Sequence, residues 1–296
     1  NVIVIIASFT AGTAFLMWLG EQITQKGVGN GISIILLINI VSTMPSDFTN
    51  LYYQFIYGKS VGIGILAAVI IIAVIILTIV LVLFLQDGER KIPVQYTKKV
   101  QGRKMVGGQS SHIPLKVNTA GVIPVIFASS LMNFPILIGS FFGVYPERAY
   151  FWPKVLKVLD QGSWLVFKSW GDFKYSLGLL IYIALIVFFA YFYTSITFNP
   201  IEVANNMKKQ GGFIPGIRPG KPTTDYLTKV LNHIILIGAI GLIIVSVIPI
   251  IFSGAFGARV SFGGTSIIII VGVIIETIKQ VESQLLVRHY KGFLND

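Results

Sequence analysis

The stretch AAVIIIAVIILTIVLVLFL, residues 67–85, decides the class of fold. Its one polar side chain is Thr78, it carries no charge, and with its flank it extends an apolar run from Val61 to Leu85. A hydrocarbon layer about 30 Å thick needs about 20 helical residues to cross it. A run that is apolar on every face has no side to turn to water, so this segment is expected to touch lipid over much of its surface. Period-2 alternation, the mark of a membrane barrel strand, is absent.

Six more apolar segments lie on either side of this one. Two precede it, Val2 to Leu19 and the shorter Gly31 to about Met44. Four follow: Ala120–Phe142, Ser176–Phe198, about Leu231 to Phe252, and Thr265 to about Val281. Composition agrees, because 54% of the 296 residues are hydrophobic and only 12% charged, about half the charge of a soluble domain. The expectation is an all-α, polytopic membrane helix bundle. The chain has no cysteine, which excludes disulfides, thiolate metal sites and thiol catalysis.

The 23 Lys and Arg outnumber the 12 Asp and Glu, for a net charge of +11. Connectors numbered along the chain fall on alternating sides of the membrane. One side collects 16 cations, from Lys26, the stretches 86–119 and 199–230 and the C-terminal end; the other collects 7. Basic loops stay in the cytoplasm, so the first side and the tail RHYKGFLND (288–296) are assigned there. Asn1 opens directly onto an apolar run, so the first helix looks entered partway and the chain is expected to be part of a longer one.

The segments lack what most membrane chemistry needs. Coupled transporters place ionisable groups at membrane depth, whereas Glu276 and His233 are expected near interfaces. An intramembrane protease needs a Ser/His pair, paired aspartates or an HExxH helix, and none is written here. His112 and His289 have no partner at metal-ligand spacing. GVGNG (27–31) looks like a phosphate-cradling turn, but it follows no strand and leads into a membrane segment. It reads instead as a tight turn, with Asn30 or Ser33 satisfying helix-start amides. Likewise, Thr265 or Ser266 is expected to cap the last segment. No enzyme, metal or cofactor is expected. Polar residues at depth are neutral and small (Asn39, Asn118, Ser129, Ser130, Asn133, Ser246) and suit helix packing. A charge-free path fits a conduit with a steric, apolar barrier better than a pump. A small-solute transporter or a membrane scaffold is the alternative.

The stretches 86–119 and 199–230 each exceed 30 residues, which is long for a connector. Both are basic, rich in Gly and Pro, and carry aromatics (Tyr96, Phe213, Tyr226). Exposed basic loops of this kind bind polyanions or acidic surfaces. RNA phosphate and an acidic protein face both answer to that description.

Within these loops and beside them, QSSHIPLKVNTAGVIPVIFASS (109–130), FNPIEVANNMKKQGGFIPGIRPG (198–220) and GTAFLMWLGEQITQKGVGNGISI (12–34) closely resemble the SecY family, the central subunits of bacterial protein-conducting channels. FGGTSIIIIVGVIIE (262–276) agrees. The resemblance runs end to end and matches family helices four to ten; helices one to three have no counterpart here.

The resemblance implies a fold of two pseudo-symmetric five-helix halves, the first incomplete. Residues 1–44 would be the last two helices of the first half and 45–60 an external hinge connector. Residues 61–296 would be the second half, with cytoplasmic loops 86–119 and 199–230 and a cytoplasmic tail 282–296. It further implies a pore ring of aliphatic side chains, here Ile32, Leu36, Ile126 and Ile269, with other ring members and the plug in the part not present. Asn118, Ser130 and Phe134 fall at a lateral gate or pore edge. Arg103, Lys104 and Arg218 fall where the family docks the SecA motor ATPase or the ribosome; Arg103 and Lys104 match a basic pair of the family, with Lys and not Arg at the second position. Implied partners are SecE, SecG, SecA, the ribosome, polypeptides bearing signal sequences, and the lipid bilayer. The implied location is the bacterial cytoplasmic membrane.

Overall fold

The computed structural model describes residues 2–96, 99–101, 104–106, 110–143, 151–164, 176–256 and 264–292. Among them, six helices are long and apolar enough to cross a membrane. The apolar run 61–85 folds as α3, Val61–Asp87. Ile and Val are indifferent helix formers in water, but in hydrocarbon the backbone must satisfy its own polar groups, and a helix does so. The seventh expected span is helical but is not one of the six. It lies in α9, Gly264–Gly292, where the run Ile267–Ile275 is followed by Glu276, Lys279 and Glu282. Thr265 and Ser266 fall inside the first turn of α9 and not ahead of it.

The chain divides into two compact units, residues 1–80 with 257–296, and 81–256. In the first, α1 (Val2–Lys26) and α2 (Gly31–Leu51) form a hairpin, and α2 also packs on α9. The turn between α1 and α2 is built by hydrogen bonds. Asn30 Oδ1 accepts from the amides of Ile32 (3.1 Å) and Ser33 (3.3 Å). Thr24 Oγ1 donates to the Gly20 carbonyl (2.9 Å) and accepts from the Gly31 amide (2.8 Å). Gly31 lies so close to α1 that a Cβ there would collide with the Gly20 carbonyl oxygen. The expected end of the second segment near Met44 is passed: α2 runs on through Pro45 to Leu51 and closes in a π turn, Tyr52–Ile56.

In the second unit the two long basic stretches fold together. Strands β1 (Glu89–Tyr96) and β4 (Ser110–Lys116) pair antiparallel, Ile92 opposite Ile113. From the other stretch, β5 (Gly212–Phe213) joins the end of β1 at Gln95 and Tyr96. Pro93 lies short of the residues that β5 pairs, so its missing N–H breaks no bond on that side. Strands β2 (Lys99–Gln101) and β3 (Lys104–Val106) form a separate hairpin. Helix α7 (Pro200–Lys209) starts on Asn199, whose Oδ1 accepts from the amides of Ile201 (3.1 Å) and Glu202 (3.4 Å), with Pro200 in the first turn. Lys208 and Lys209 in its last turn complement the helix dipole. Ile92, Val94, Leu115, Ala204, Met207, Ile214, Leu227 and Ile234 close one buried core under this platform.

Helices α4 (Ile123–Phe141), α6 (Leu177–Thr197) and α8 (Lys221–Phe256) carry the unit away from the platform, with α6 packed on both others. At 1.5 Å per residue the 36 residues of α8 span about 54 Å. That length lets one helix hold the platform core with Leu227 and Ile234 and still cross a bilayer. At the far end, α5 (Phe151–Leu159) rests on α4 and α6. Nearby, the wholly buried Trp164 donates from Nε1 to the Val158 carbonyl (2.7 Å) and packs on Tyr182, ring centroids 5.6 Å apart.

Candidate functional site

Helix α4 shows how the sequence sorts its faces. Pro124, Val125, Ala128 and Met132 are buried, and Ser129 lies 3.4 Å from the Tyr182 hydroxyl of α6, which also bonds Ser246 of α8. Ile126, Ser130 and Phe134, spaced four apart and therefore stacked on one ridge, are all exposed. One residue expected in the pore ring and two expected at the gate or pore edge thus share one uncovered strip of one helix. On α9, Ile267, Ile268 and Val271 are buried, Ile269 and Ile270 are half-covered and Ile274 is exposed. On α2, Ile32 and Leu36 are 53% and 49% exposed while Ile34 and Ile35 are half-buried. Ile32, Leu36 and Ile269 lie on the packed helices α2 and α9 of the first unit; Ile126 belongs to the second.

Asn118 closes β4 onto α4. It is 7% exposed and its Nδ2 has no hydrogen-bond partner, although a buried amide left unpaired costs about 1–3 kcal/mol. Its backbone lies beside Gly238 of α8, where any side chain would collide with the Val117 carbonyl. Glu276 is exposed, and His233 is exposed with Nδ1 2.6 Å from the Lys229 carbonyl.

Arg218 is exposed on a stiffened turn. Gly216 and Gly220 on either side have φ of +83° and +105°, which L side chains rarely adopt. The Arg218 carbonyl accepts from Thr223 Oγ1 (2.8 Å), and Ile214 and Ile217 anchor the incoming chain on the platform core. Lys104 opens β3, with its backbone paired to Gln101; Arg103 lies outside the described residues. Among the described residues no cluster of His, Asp and Glu could hold a metal ion.

Reading by composition missed the platform itself. The signal was present: ERKIPVQY and HIPLKV alternate apolar and polar residues as half-buried strands do.

A family model described as SecY matches residues 1–278. The chain belongs to the SecY family. It is 46% identical over 291 residues to the protein translocase subunit SecY of Streptomyces scabiei, covering 98% of this chain and 62% of that protein. It is 44% identical over 290 residues to the SecY of Halalkalibacterium halodurans, covering 96% of this chain and 64% of that one. The chain thus spans less than two thirds of the length of these relatives. The fold is similar to two solved structures. One is a SecY structure described as showing that the plug domain stabilises the closed state of the translocation channel and maintains a membrane seal (TM-score 0.60, 20% identity, 92% of this chain and 64% of that one). The other is described as a protein-conducting channel (TM-score 0.58, 19% identity, 92% and 63%). Family and spans together make this a multi-pass membrane protein.

Proposed function

We propose that the chain forms part of the pore of a protein-conducting channel, which passes unfolded secretory polypeptides across the bacterial cytoplasmic membrane and releases membrane segments sideways into lipid. The observation that carries this reading is the sorting of aliphatic residues on α2, α4 and α9. Ile32, Leu36 and Ile126, which match the family ring, lie on uncovered faces of helices whose other faces are packed, and Ile269 is half-covered. Aliphatic side chains meeting at a waist offer an ion no ligands, so desolvation opposes its passage. A polypeptide can part the same side chains, and they close behind it.

Asn118, Ser130 and Phe134 then edge the pore or the lateral gate, and the stretch 45–60 supplies the hinge. The orphaned Asn118 amide supports its place at the gate, because a group without a partner in one state is free to take one in another. Arg218, with Arg103 and Lys104, forms the docking face for SecA or the ribosome. A guanidinium on a rigid turn suits bidentate contacts to carboxylate or phosphate. The driving energy comes from ATP hydrolysis by SecA or from chain elongation, since the sequence has no phosphate-binding loop of its own. SecE and SecG complete the membrane assembly, and the C-terminus faces the cytoplasm with the platform.

The test places asparagine at 126 and 269, singly and together, in the complete chain within reconstituted translocase. Ion leak should rise, and substrates with defective signal sequences should be admitted. Unchanged leak together with unchanged stringency in all three variants would refute the proposed seal.

A further inference from the structure

The end of the second unit opposite the platform carries an amphipathic helix that the channel reading does not use. Helix α5 reads FWPKVLKVL, and Pro153 and Leu156 are its buried residues, set against α4 and α6. The apolar residues do not stop at that face. Phe151 is 74% exposed and Trp152 68%, their rings in an edge contact with centroids 6.0 Å apart, and Val155 is exposed beside them. At 3.6 residues per turn Phe151, Val155 and Trp152 fall within an arc of about 100°. Lys154 and Lys157 lie on the other side of the buried edge, and Lys154 is exposed.

We infer that α5 is an interfacial lipid anchor: Phe151, Trp152 and Val155 enter the bilayer surface, and Lys154 stays at the level of the lipid phosphates. Three observations support this occupant. Exposed apolar surface on α5 continues that of the spans it joins, with Phe141 and Phe142 at the end of α4 and Leu177, Leu180 and Ile181 at the start of α6 all open. These are the ends of membrane-crossing helices, where the hydrocarbon gives way to headgroups and where Trp sits by preference. Charge is complementary too, since a cation next to an aromatic arc is the pattern of helices that lie in an anionic interface. The anchor would hold the α4–α6 connection at a fixed depth, so that α4, which carries the Ile126 ridge, keeps its height in the membrane.

No cysteine lies in these 296 residues, so the test needs only serine in place of any cysteine elsewhere in the complete chain. Phe151→Cys, Trp152→Cys and Lys154→Cys are introduced one at a time in the complete chain and labelled with a nitroxide. The protein is then reconstituted in vesicles of phosphatidylcholine and phosphatidylglycerol. Power-saturation spectroscopy should find positions 151 and 152 open to oxygen and closed to a water-soluble nickel chelate, with 154 open to the chelate. A label-free arm uses dibrominated phosphatidylcholine, where Trp152→Phe should remove part of the tryptophan quenching. Access of the chelate to all three positions overturns the inference, because α5 then stands in water. Exclusion of both reagents from 151 and 152 overturns it as well, because protein then covers the face. Quenching unchanged by Trp152→Phe counts against it equally.

Discussion

Replacing Leu227 with alanine tests whether the two long loops are one folded body. Leu227 is 0% exposed and stands in a core with Ile92 and Val94 of β1, Leu115 of β4, Ala204 and Met207 of α7, and Ile214 after β5. Truncation removes about three methyl or methylene groups at about 0.8 kcal/mol each, or about 2.4 kcal/mol before any cavity cost. Buried leucines truncated in this way lose about 2–5 kcal/mol in total. At about 1.4 kcal/mol per tenfold, the opening equilibrium of the platform should rise at least about 50-fold. Trypsin, which has Lys and Arg targets in both stretches, reads that equilibrium when reclosing outpaces cleavage. Proteoliposomes carrying Leu227→Ala should be cut in 86–119 and in 199–230 at least about 50 times faster than the parent. Leu236→Ala, at an exposed position on the same helix, should be cut at the parent rate. Cleavage of Leu227→Ala within threefold of the parent, or acceleration confined to one stretch, would refute a shared core.

Other substitutions probe other joints. Gly31→Ala drives a methyl group into the Gly20 carbonyl, an overpacking worth about 1–3 kcal/mol, and should lower the midpoint of a tryptophan-fluorescence melt by several degrees. Gly12→Ala, in α1 with open space at its Cβ, should not lower it. Arg218→Glu reverses an exposed charge, so trypsin resistance elsewhere in the platform should not change, while affinity for SecA or ribosomes should fall at least about tenfold. Retained affinity would remove Arg218 from the docking face.

The spans were legible because length and unbroken hydrophobicity need no tertiary context; α3 and α6 begin and end within two residues of the expected segments. Ends that depend on neighbours were not. Helix α8 starts at Lys221 and not near Leu231 because the amphipathic turns 221–234 are stabilised by burying Leu227 and Leu231 against other elements. The Asn30 cap was legible from a local pattern. The strands β1 and β4 left an alternating pattern, but the third strand did not, since β5 contributes two residues and pairs with a strand more than 110 positions earlier. At the site, spacing placed Ile126, Ser130 and Phe134 on one ridge, yet only the family resemblance distinguished that ridge from an ordinary lipid-facing stripe. The orphaned amide of Asn118 depends on packing by α8 and leaves no mark in the sequence around it.

Site-specific disulfide capture of a polypeptide halted in transit bears most directly on the pore. Single cysteines at 32, 36, 126 and 269 in the complete chain, with any other cysteine replaced by serine, should each crosslink to a cysteine in the arrested segment. Cysteines at Ile65 and Ile72, exposed on α3, should not. Adducts at the α3 positions as strong as those at the four, or no adduct at any of the four, would contradict an aliphatic waist around the moving chain.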